Sequence, residues 1–269
     1  MTSQFSLKIA TWNVNGIKAR LETLLNWLRE ANADVVCLQE IKTVAEGFPR
    51  EPFEELGYNI AMAGQKSFNG VAILSKAPLE DVIDRLPGDA DDEQARYLEA
   101  TIPFGQGVVR VATIYLPNGN PINTGKFDYK LAWMKRLEAH ARTLLTHEIP
   151  VVLAGDYNVI PEPQDAKAPE NWLGDALYQP ESRDALSALM ALGFTDALRA
   201  TTTAPATFTF WDYQAGAWQK NNGIRIDHIL LSAQAADRLS TAGIDRHVRG
   251  WESPSDHVPV WITLEAQGP

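Results

Sequence analysis

The sequence predicts one α/β domain whose β-sheets are mixed. Short β-rich runs alternate with segments of helical periodicity along the 269 residues, and some neighbouring runs can pair as hairpins. Parallel and antiparallel pairing should therefore occur together. Apolar residues form 45% of the chain and charged residues 22%, which excludes disorder, collagen and a coiled coil as descriptions of the whole chain.

Eight apolar runs that end in polar or turn residues predict the strands. They cover residues 7–12, 35–38, 70–75, 97–102, 108–116, 149–154, 225–231 and 258–264. Apolar residues spaced three and four apart predict helices over residues 21–28, 131–145 and 186–193. Residues 161–181 hold four prolines and predict a long loop, a kind of segment that often carries function. No linker or repeat divides residues 1–269, so we expect a single domain.

The net charge does not identify the partner by itself. The chain has 34 acidic and 24 basic residues, a formal charge of −10, and such a balance opposes encounter with a polyanion. The charge is segregated, however. Residues 80–99 carry eight acids and two bases, whereas residues 126–142 carry five bases and two acids. Carboxylates that bind a metal would also lose part of their charge to it.

The cysteine content and the absence of apolar stretches indicate a cytoplasmic protein. Cys37 is the single cysteine and lies in an apolar run, so we expect it to be buried in a strand and the chain to suit a reducing compartment. The first residues do not resemble a signal peptide. No run approaches the 18 apolar residues of a membrane span, so we expect no membrane association.

Polar side chains lie within or at the ends of the predicted strands. These residues are Asn13, Glu40, Asp156, Asn158, Asp227, Asp256 and His257. Ligand sites of α/β proteins gather at strand ends, and oxygen ligands without cysteine suit Mg²⁺ or Mn²⁺. Carboxylates, amides and one histidine together suit phosphoryl chemistry, in which a metal neutralises phosphate charge and a carboxylate activates water.

Each of these residues also has a structural interpretation. The tetrapeptide at residues 155–158 could be only a turn with side-chain hydrogen bonds, and Glu40 could lie on a solvated edge. Asp227 is harder to explain in this way, because its apolar neighbours predict burial and a buried carboxylate needs a partner; His257 would satisfy it. His228 should face the other side of the strand and pack there.

Six short segments occur in order: WNVNG at 12–16, LQE at 38–40, YLPNG at 115–119, GDYN at 155–158, RID at 225–227 and SDH at 255–257. Together they resemble the exonuclease III branch of the endonuclease/exonuclease/phosphatase superfamily, over about residues 7–264. The segments at 126–131 and 209–213 narrow the resemblance to the bacterial exonuclease III type, which also cleaves DNA at abasic sites. The resemblance implies a DNase I-like four-layer sandwich, with two mixed sheets face to face and helices outside.

The resemblance also implies roles for the polar residues. Glu40 would be the principal metal ligand, with Asn13 beside it and Asp256 as a second carboxylate on the metal side. Asp156 would position or deprotonate the attacking water. The phosphoryl group would be held by Tyr115 and Asn158 and stabilised by the pair His257–Asp227. The expected metal is Mg²⁺, for which Mn²⁺ could substitute.

For DNA binding, the resemblance places Asn118 at a phosphate contact. It places Phe210, Trp211, Ile224 and Ile226 where the family lines a pocket for a sugar without its base. Lys126 and the bases that follow it could contact phosphates or could simply form a solvated helix face. Trp211 or Trp251 could wedge into the duplex, although buried tryptophans are commoner.

Two positions depart from the family pattern. Tyr157 replaces the usual phenylalanine, a change that should leave the chemistry intact. Asn15 stands where some members have aspartate, which removes one carboxylate and leaves open whether one or two metals bind.

The resemblance implies a Mg²⁺-dependent DNA repair nuclease that acts as a monomer on duplex DNA with abasic sites or 3′ ends. It would hydrolyse the phosphodiester 5′ to the abasic site, leave a 3′-hydroxyl, and also act as a 3′-to-5′ exonuclease and 3′-phosphatase. A phosphodiesterase of phosphoinositide or phospholipid head groups is the alternative within the superfamily, and residues 126–131 and 209–213 argue against it. A silent binding module is disfavoured because each expected catalytic position holds a competent residue.

Overall fold

The computed structural model describes residues 6–266, which form twelve strands and six α-helices. The strands are β1 (Ser6–Asn13), β2 (Val35–Gln39), β3 (Asn59–Ala63), β4 (Val71–Ser75), β5 (Glu80–Ile83), β6 (Tyr97–Phe104), β7 (Gly107–Tyr115), β8 (Val151–Asp156), β9 (Thr195–Asp196), β10 (Asp227–Leu231), β11 (Leu239–Ile244) and β12 (Val260–Glu265). The helices are α1 (Leu21–Ala31), α2 (Arg50–Glu55), α3 (Gly125–Leu145), α4 (Pro180–Met190), α5 (Ala197–Thr201) and α6 (Ala233–Ala236).

The strands form two six-stranded sheets. The first has the order β11-β12-β1-β2-β4-β3 and the second the order β5-β6-β7-β8-β10-β9. In each sheet one central pair is parallel, β1 with β2 and β7 with β8, and the other pairs are antiparallel. The predicted mixed sheets are therefore confirmed.

Alternate side chains of the central strands enter different apolar layers. In β1, Ile9 packs between the two sheets, whereas Trp12 faces outward toward Leu24 and Leu28 of α1. On the other side of the molecule, α3 and α4 cover the outer face of the second sheet. Because both faces of the central strands are buried, their sequences are continuously apolar. The result is the expected sandwich of helix, sheet, sheet and helix.

All eight predicted strands are present, with ends shifted by at most two residues. The strands that the sequence did not predict are β3, β5, β9 and β11, which are the four edge strands of the two sheets. An edge strand has a partner on one side only and keeps exposed residues, so its sequence lacks the apolar run that marks a central strand.

The prediction of a loop over residues 161–181 needs correction. The segment contains two 3₁₀ turns, Pro163–Asp165 and Pro169–Trp172, and α4 already begins at Pro180. Proline suits that position because the first helical residue needs no hydrogen-bond donor. Cys37 is buried as predicted. No helix within residues 6–266 is long and apolar enough to cross a membrane.

A buried ionic cluster lies under α3, on the outer face of the second sheet. Glu99 of β6 is bound by the Arg110 guanidinium at 2.9 Å, by the Tyr97 hydroxyl at 2.8 Å and by Nε2 of His140 at 3.2 Å. Burial alone would raise the pKa of Glu99, but the hydrogen bonds from His140, Arg110 and Tyr97 outweigh it and lower the pKa to about 2. The folded state therefore favours the ionised carboxylate.

This cluster predicts a specific acid sensitivity. Because the pKa of Glu99 is lower in the folded than in the unfolded chain, its stabilisation is complete above about pH 4.5 and is lost as the pH falls toward 2. We expect Glu99→Gln to unfold more easily than the wild type at pH 7, by about 3 kcal/mol. Urea titrations should show nearly the same difference at pH 7 and 5 and a smaller one at pH 3; a difference independent of pH would contradict the role given to Glu99.

Candidate active site

Five strands converge on one end of the sandwich and carry polar residues there. Asn13 ends β1, Tyr115 ends β7, Asp156 ends β8, and Glu40 follows β2 directly. Since β1 and β2 run parallel, as do β7 and β8, their final residues meet at the same edge. Asp227 begins the antiparallel strand β10 and pairs in register with Asp156, which brings it to the same end.

The amide of Asn13 joins two carboxylates from opposite sheets. Its Nδ2 donates to Oε1 of Glu40 at 2.9 Å and to Oδ2 of Asp156 at 2.9 Å. Asn13 is fully buried, whereas the Glu40 side chain is 19% exposed. The backbone of Glu40 has a φ of 51°, a left-handed turn by which the chain leaves β2 and directs this carboxylate into the site.

His257 lies between two carboxylates, as the sequence predicted for its pairing with Asp227. Its Nδ1 donates to Oδ2 of Asp227 at 2.8 Å, and its Nε2 lies 3.7 Å from Oδ2 of Asp156. Burial would lower the pKa of His257, but the charges of Asp227 and Asp156 raise it to about 10. The imidazole is therefore protonated at neutral pH, and Nε2–H is a charged donor facing the site.

Asp156 has the environment of a general base. Burial raises the pKa of its carboxyl to about 7, a rise to which the charge of Asp227 adds and which His257 opposes. Its Oδ1 accepts the backbone N–H of Asn158 at 2.9 Å, which fixes the carboxylate plane. A carboxyl with a pKa near neutrality can take a proton from water and release it again.

Three neutral side chains complete this end of the site. Tyr115 hydrogen-bonds Glu40, and burial together with the charges of Glu40 and Asp156 holds the pKa of Tyr115 well above its usual value, so its hydroxyl keeps its proton. Asn158 donates from Nδ2 to the Leu116 carbonyl at 2.9 Å. Asn118 lies next to it, with its Nδ2 3.4 Å from Oδ1 of Asn158.

The donor set fits a hard divalent cation. Three carboxylates, Glu40, Asp156 and Asp227, face one imidazolium, and the buried Oδ1 of Asp227 has no hydrogen-bond partner among the described residues. Asp156, Asp227 and His257 lie close enough to hold a metal, but a protonated imidazole cannot be a ligand. Burial opposes ionisation of Glu40, yet hydrogen bonds from Asn13 and Lys42 lower its pKa. This ionised and accessible carboxylate is the better primary ligand.

The Lys42 side chain lies between the predicted metal ligand Glu40 and Asn15, which contacts the second predicted ligand, Asp256. Nζ of Lys42 lies 2.9 Å from Oε2 of Glu40 and 2.6 Å from Oδ1 of Asn15. The Asn15 amide in turn donates from Nδ2 to Oδ1 of Asp256 at 3.2 Å. Asp256 is thus linked to Glu40 through Asn15 and Lys42. At Asn15, where some family members have a carboxylate, the Lys42 ammonium group connects the side chain to Glu40.

The residues expected to touch DNA divide into two groups. Lys126 and Asn118 are exposed. The Phe210 ring lies 5.0 Å from the His257 ring. Together with Ile224 and Trp172, Phe210 borders a cavity of about 290 Å³. Ile224 and Ile226 are themselves almost wholly buried in the cluster behind this cavity.

Trp211, which the resemblance places at the DNA-binding pocket, is buried in this structure. Its side chain has no exposed surface, and its ring packs edge-on against Trp218 at 5.0 Å. Its indole N–H donates to Asn221 at 3.1 Å. Trp211 therefore supports the chain next to Phe210 from within the core.

Two of the bases expected on the outer face of α3 are not available to phosphates. Arg136 is paired with Asp92, and Lys130 is buried, where its Nζ donates to the carbonyls of Asn118, Asn158 and Ala176. Lys130 thereby holds together three segments around the site. The signal was present in the sequence, because Lys130 falls on the apolar face of α3 at helical spacing with residues 133, 134 and 137.

Arg225 is a second supporting residue that sequence reasoning did not identify. Its guanidinium is buried and binds Asp165 at 2.7 Å and Asp196 at 2.7 Å. This ties the segment before α4 to the chain that leads into Asp227. His228 packs in the same buried region, with Nε2 3.0 Å from the Val159 carbonyl oxygen, as expected.

Comparison with known proteins agrees with this geometry. A family model described as "Endonuclease/Exonuclease/phosphatase family" matches residues 10–257. The chain belongs to this family. Exodeoxyribonuclease III of Haemophilus influenzae is 33% identical over 267 residues, covering 96% of this chain and all of the relative. The DNA repair nuclease APEX1 of Danio rerio is 30% identical over 96% of this chain and 82% of its own length.

Solved structures of family members superpose closely. An AP endonuclease from Archaeoglobus fulgidus matches with a TM-score of 0.91 and 36% identity, covering 97% of this chain and all of the other. The 3′-5′ exonuclease NExo from Neisseria meningitidis matches with a TM-score of 0.92, 36% identity and the same coverage. The fold of the family is therefore the fold of this chain, including the two facing sheets.

Asp156→Asn should separate chemistry from binding. The amide keeps the shape of the side chain but cannot take a proton from water, so we expect turnover to fall about 10³-fold. Binding of substrate should remain within a few-fold, as measured in EDTA. Asp184→Asn, which removes an exposed carboxylate on α4, is the control; near-normal turnover of the Asp156 variant would refute the base assignment.

Glu40→Gln should weaken metal binding selectively. Replacing the ionised ligand by a neutral amide should raise the Mg²⁺ concentration for half-maximal activity at least about 10-fold. Calorimetric titration with Mg²⁺ should show the same weakening without any substrate. Glu181→Gln on α4 serves as the control, and an unchanged metal titration would show that Glu40 is not a ligand.

Proposed function

We propose that this chain is a Mg²⁺-dependent DNA repair nuclease that hydrolyses the phosphodiester 5′ to abasic sites in duplex DNA and leaves a 3′-hydroxyl. We further propose 3′-to-5′ exonuclease and 3′-phosphatase activity at the same site. The observation that carries the proposal is the row of groups Glu40, Asn13, Asp156, His257 and Asp227, each joined to the next at the end of the two sheets.

The names of the relatives support this substrate. They include exodeoxyribonuclease III, the repair nuclease APEX1 and an AP endonuclease. A second structure of NExo from Neisseria is described as that of a 3′ phosphatase bound to a product DNA hairpin. All of these names describe action on DNA or its ends, and none supports the phospholipid alternative.

The geometry suggests how hydrolysis proceeds. Asp156 accepts a proton from water as the water oxygen attacks phosphorus and the bond to the 3′-oxygen breaks. Nε2–H of His257, held by Asp227, donates to a phosphoryl oxygen, as does the Asn158 amide, and these donors are in place before charge develops. The Tyr115 hydroxyl donates there when it turns from Glu40. A Mg²⁺ held by Glu40, with Asn13 and Asp256 nearby, would neutralise phosphate charge and help the departing 3′-oxygen to leave.

The same residues bear on the metal ligands and on the number of metal ions. Asn13 would bind metal through Oδ1, which accepts the backbone N–H of Asn15 at 3.0 Å and keeps a second lone pair. We propose one metal per chain, since Lys42 already places a positive charge between Glu40 and Asn15. Mn²⁺ should substitute for Mg²⁺, and we propose that the single domain works as a monomer.

The deciding experiment uses a duplex with one abasic-site analogue and protected 3′ ends. We expect a single nick 5′ to the analogue in Mg²⁺, none in EDTA, and about 10³-fold slower nicking by Asp156→Asn. A matched duplex with free 3′ ends tests trimming, and a 3′-phosphorylated primer tests phosphate release. Trimming without nicking would restrict the activity to 3′ ends. Inactivity on all three DNAs, with hydrolysis of phosphoinositides or sphingomyelin, would overturn the proposal.

A further inference from the structure

Lys130 is a buried cation whose direct partners are all neutral. It lies on the apolar face of α3, at helical spacing with Trp133, Met134 and Leu137, and it has no exposed surface. Within residues 6–266, its Nζ donates to three backbone carbonyls and bonds no carboxylate. A buried charge without a bonded counter-ion is unfavourable. Departures of this kind from local sequence rules are expected at functional sites.

The three carbonyls come from three loops next to the active site. Nζ of the lysine lies 2.6 Å from the carbonyl oxygen of Asn158, 3.1 Å from that of Asn118 and 3.3 Å from that of Ala176. Burial lowers the pKa of the lysine to about 7, against the charges of Asp175 and Asp156, which favour its charged form. The three acceptors favour that form as well, because an ammonium group has three N–H donors and a neutral amine has two.

The shortest of these bonds fixes the backbone at Asn158. Asn158 has a φ of 47°, a left-handed conformation that residues other than glycine adopt at an energetic cost. Its backbone N–H donates to Oδ1 of Asp156 at 2.9 Å, and its side-chain amide donates to the Leu116 carbonyl at 2.9 Å. The lysine bond to the Asn158 carbonyl therefore helps to set the direction of two side chains that face the reacting group.

Gly119 provides the space through which the Lys130 side chain reaches the loops. Its φ is 90°, and a Cβ atom at this position would lie 2.7 Å from Cδ of Lys130 and 3.2 Å from Cβ of Ala176. The loop that carries Asn118 can therefore pack against the lysine stem only because residue 119 has no side chain. The lysine itself is held by α3, a helix of 21 residues packed on the second sheet.

We propose that Lys130 is a positioning residue for phosphodiester hydrolysis. Through the carbonyls of Asn158 and Asn118, it holds the Asp156 carboxylate and the two asparagine amides in the geometry that the reaction needs, without touching the substrate. This role rests on the proposed nuclease function. Because the lysine ties the loops to a rigid helix, its loss should slow the chemical step more than it weakens binding.

The test compares the wild type with Lys130→Met, which keeps a long apolar stem but has no N–H group, on the abasic-analogue duplex. We expect kcat to fall about 10- to 100-fold, while KM stays within about 3-fold. Lys76→Met should behave as the wild type. It is the matched control, because Lys76 follows Ser75, which pairs with Val35 at the end of the first sheet opposite the site.

Unchanged kcat in a folded Lys130→Met would overturn the proposal, and so would a change confined to KM. Thermal melting gives the folded fraction of each variant, by which kcat is corrected. If Lys130→Met does not fold, Gly119→Ala takes its place, because it displaces the lysine stem and keeps every polar group. That variant should show the same fall in kcat, and wild-type kcat in it would refute the role of the lysine.

Added amines distinguish a positioning role from general destabilisation. Lys130→Ala lacks the outer three carbons and the nitrogen of the side chain, which together correspond to n-propylammonium. This cation should raise the kcat of Lys130→Ala about 5-fold or more, with saturation. Tetramethylammonium, which has no N–H group, should not do so at the same ionic strength, and Lys130→Met should respond to neither. An equal response to both cations, or no response to n-propylammonium, would overturn the proposal.

A measurement without substrate separates failure of this role from failure of the proposed function. Hydrogen exchange of the Asn158 backbone N–H, which bonds Asp156, should be at least about 10-fold faster in Lys130→Met than in the wild type or Lys76→Met. If the wild type nicks no DNA while this exchange responds, the nuclease assignment fails and the role of the lysine is then measured on the substrate that the site does hydrolyse. If the wild type nicks the duplex and the variant matches it in kcat and exchange, only the positioning role is refuted.

Discussion

The site depends on one amide group that joins the two sheets. Asn13 belongs to the first sheet, and its two N–H bonds reach Glu40 of the same sheet and Asp156 of the second. Its backbone carbonyl accepts the Ser255 hydroxyl at 2.6 Å, which also ties in the loop that carries His257. Without this donor, two carboxylates would face each other in a partly buried space, where like charges repel strongly.

Donors and acids alternate along the whole site. The Asn13 amide separates Glu40 from Asp156, and the His257 imidazolium separates Asp156 from Asp227. This order lets three acids share one site and gives them different tasks. Hydrogen bonds keep the pKa of Glu40 low despite its burial, whereas deeper burial raises the pKa of Asp156 to about 7. One acid is thus suited to holding a cation and another to taking a proton, which is how environment divides acid and base roles.

Most residues of this site could be predicted from the sequence because they lie at the ends of predicted strands. Asn13, Glu40 and Asp156 follow apolar runs whose both faces are buried, so placing the strands also placed the residues. Asp227 could be paired with His257 because a carboxylate among isoleucines needs a partner. The four edge strands could not be found in the same way, since half of their hydrogen-bonding groups face outward and their residues need not be apolar.

Other features depended on neighbours that are distant in sequence. From sequence, Lys130 could contact phosphates or form part of a solvated helix face, yet three carbonyls from three loops surround its ammonium group. The same limit applies to Trp211, whose burial depends on Trp218 and Phe208. Residue type and spacing predict which residues can do chemistry; which charges remain free is decided only when the loops pack.

Which charged side chains remain free determines how this acidic chain would act on DNA, the substrate that we propose. The net charge is −10, and Lys130, Arg136 and Arg225 have internal partners, so these three cations do not attract the DNA that we propose as substrate. Under the proposed function, the favourable charge would be concentrated at the reacting group, in the His257 imidazolium and in a cation held by Glu40. Affinity for DNA would then depend mainly on short-range contacts around that point. Such contacts reward a strand that is already distorted, whereas backbone charges would attract every stretch of duplex equally.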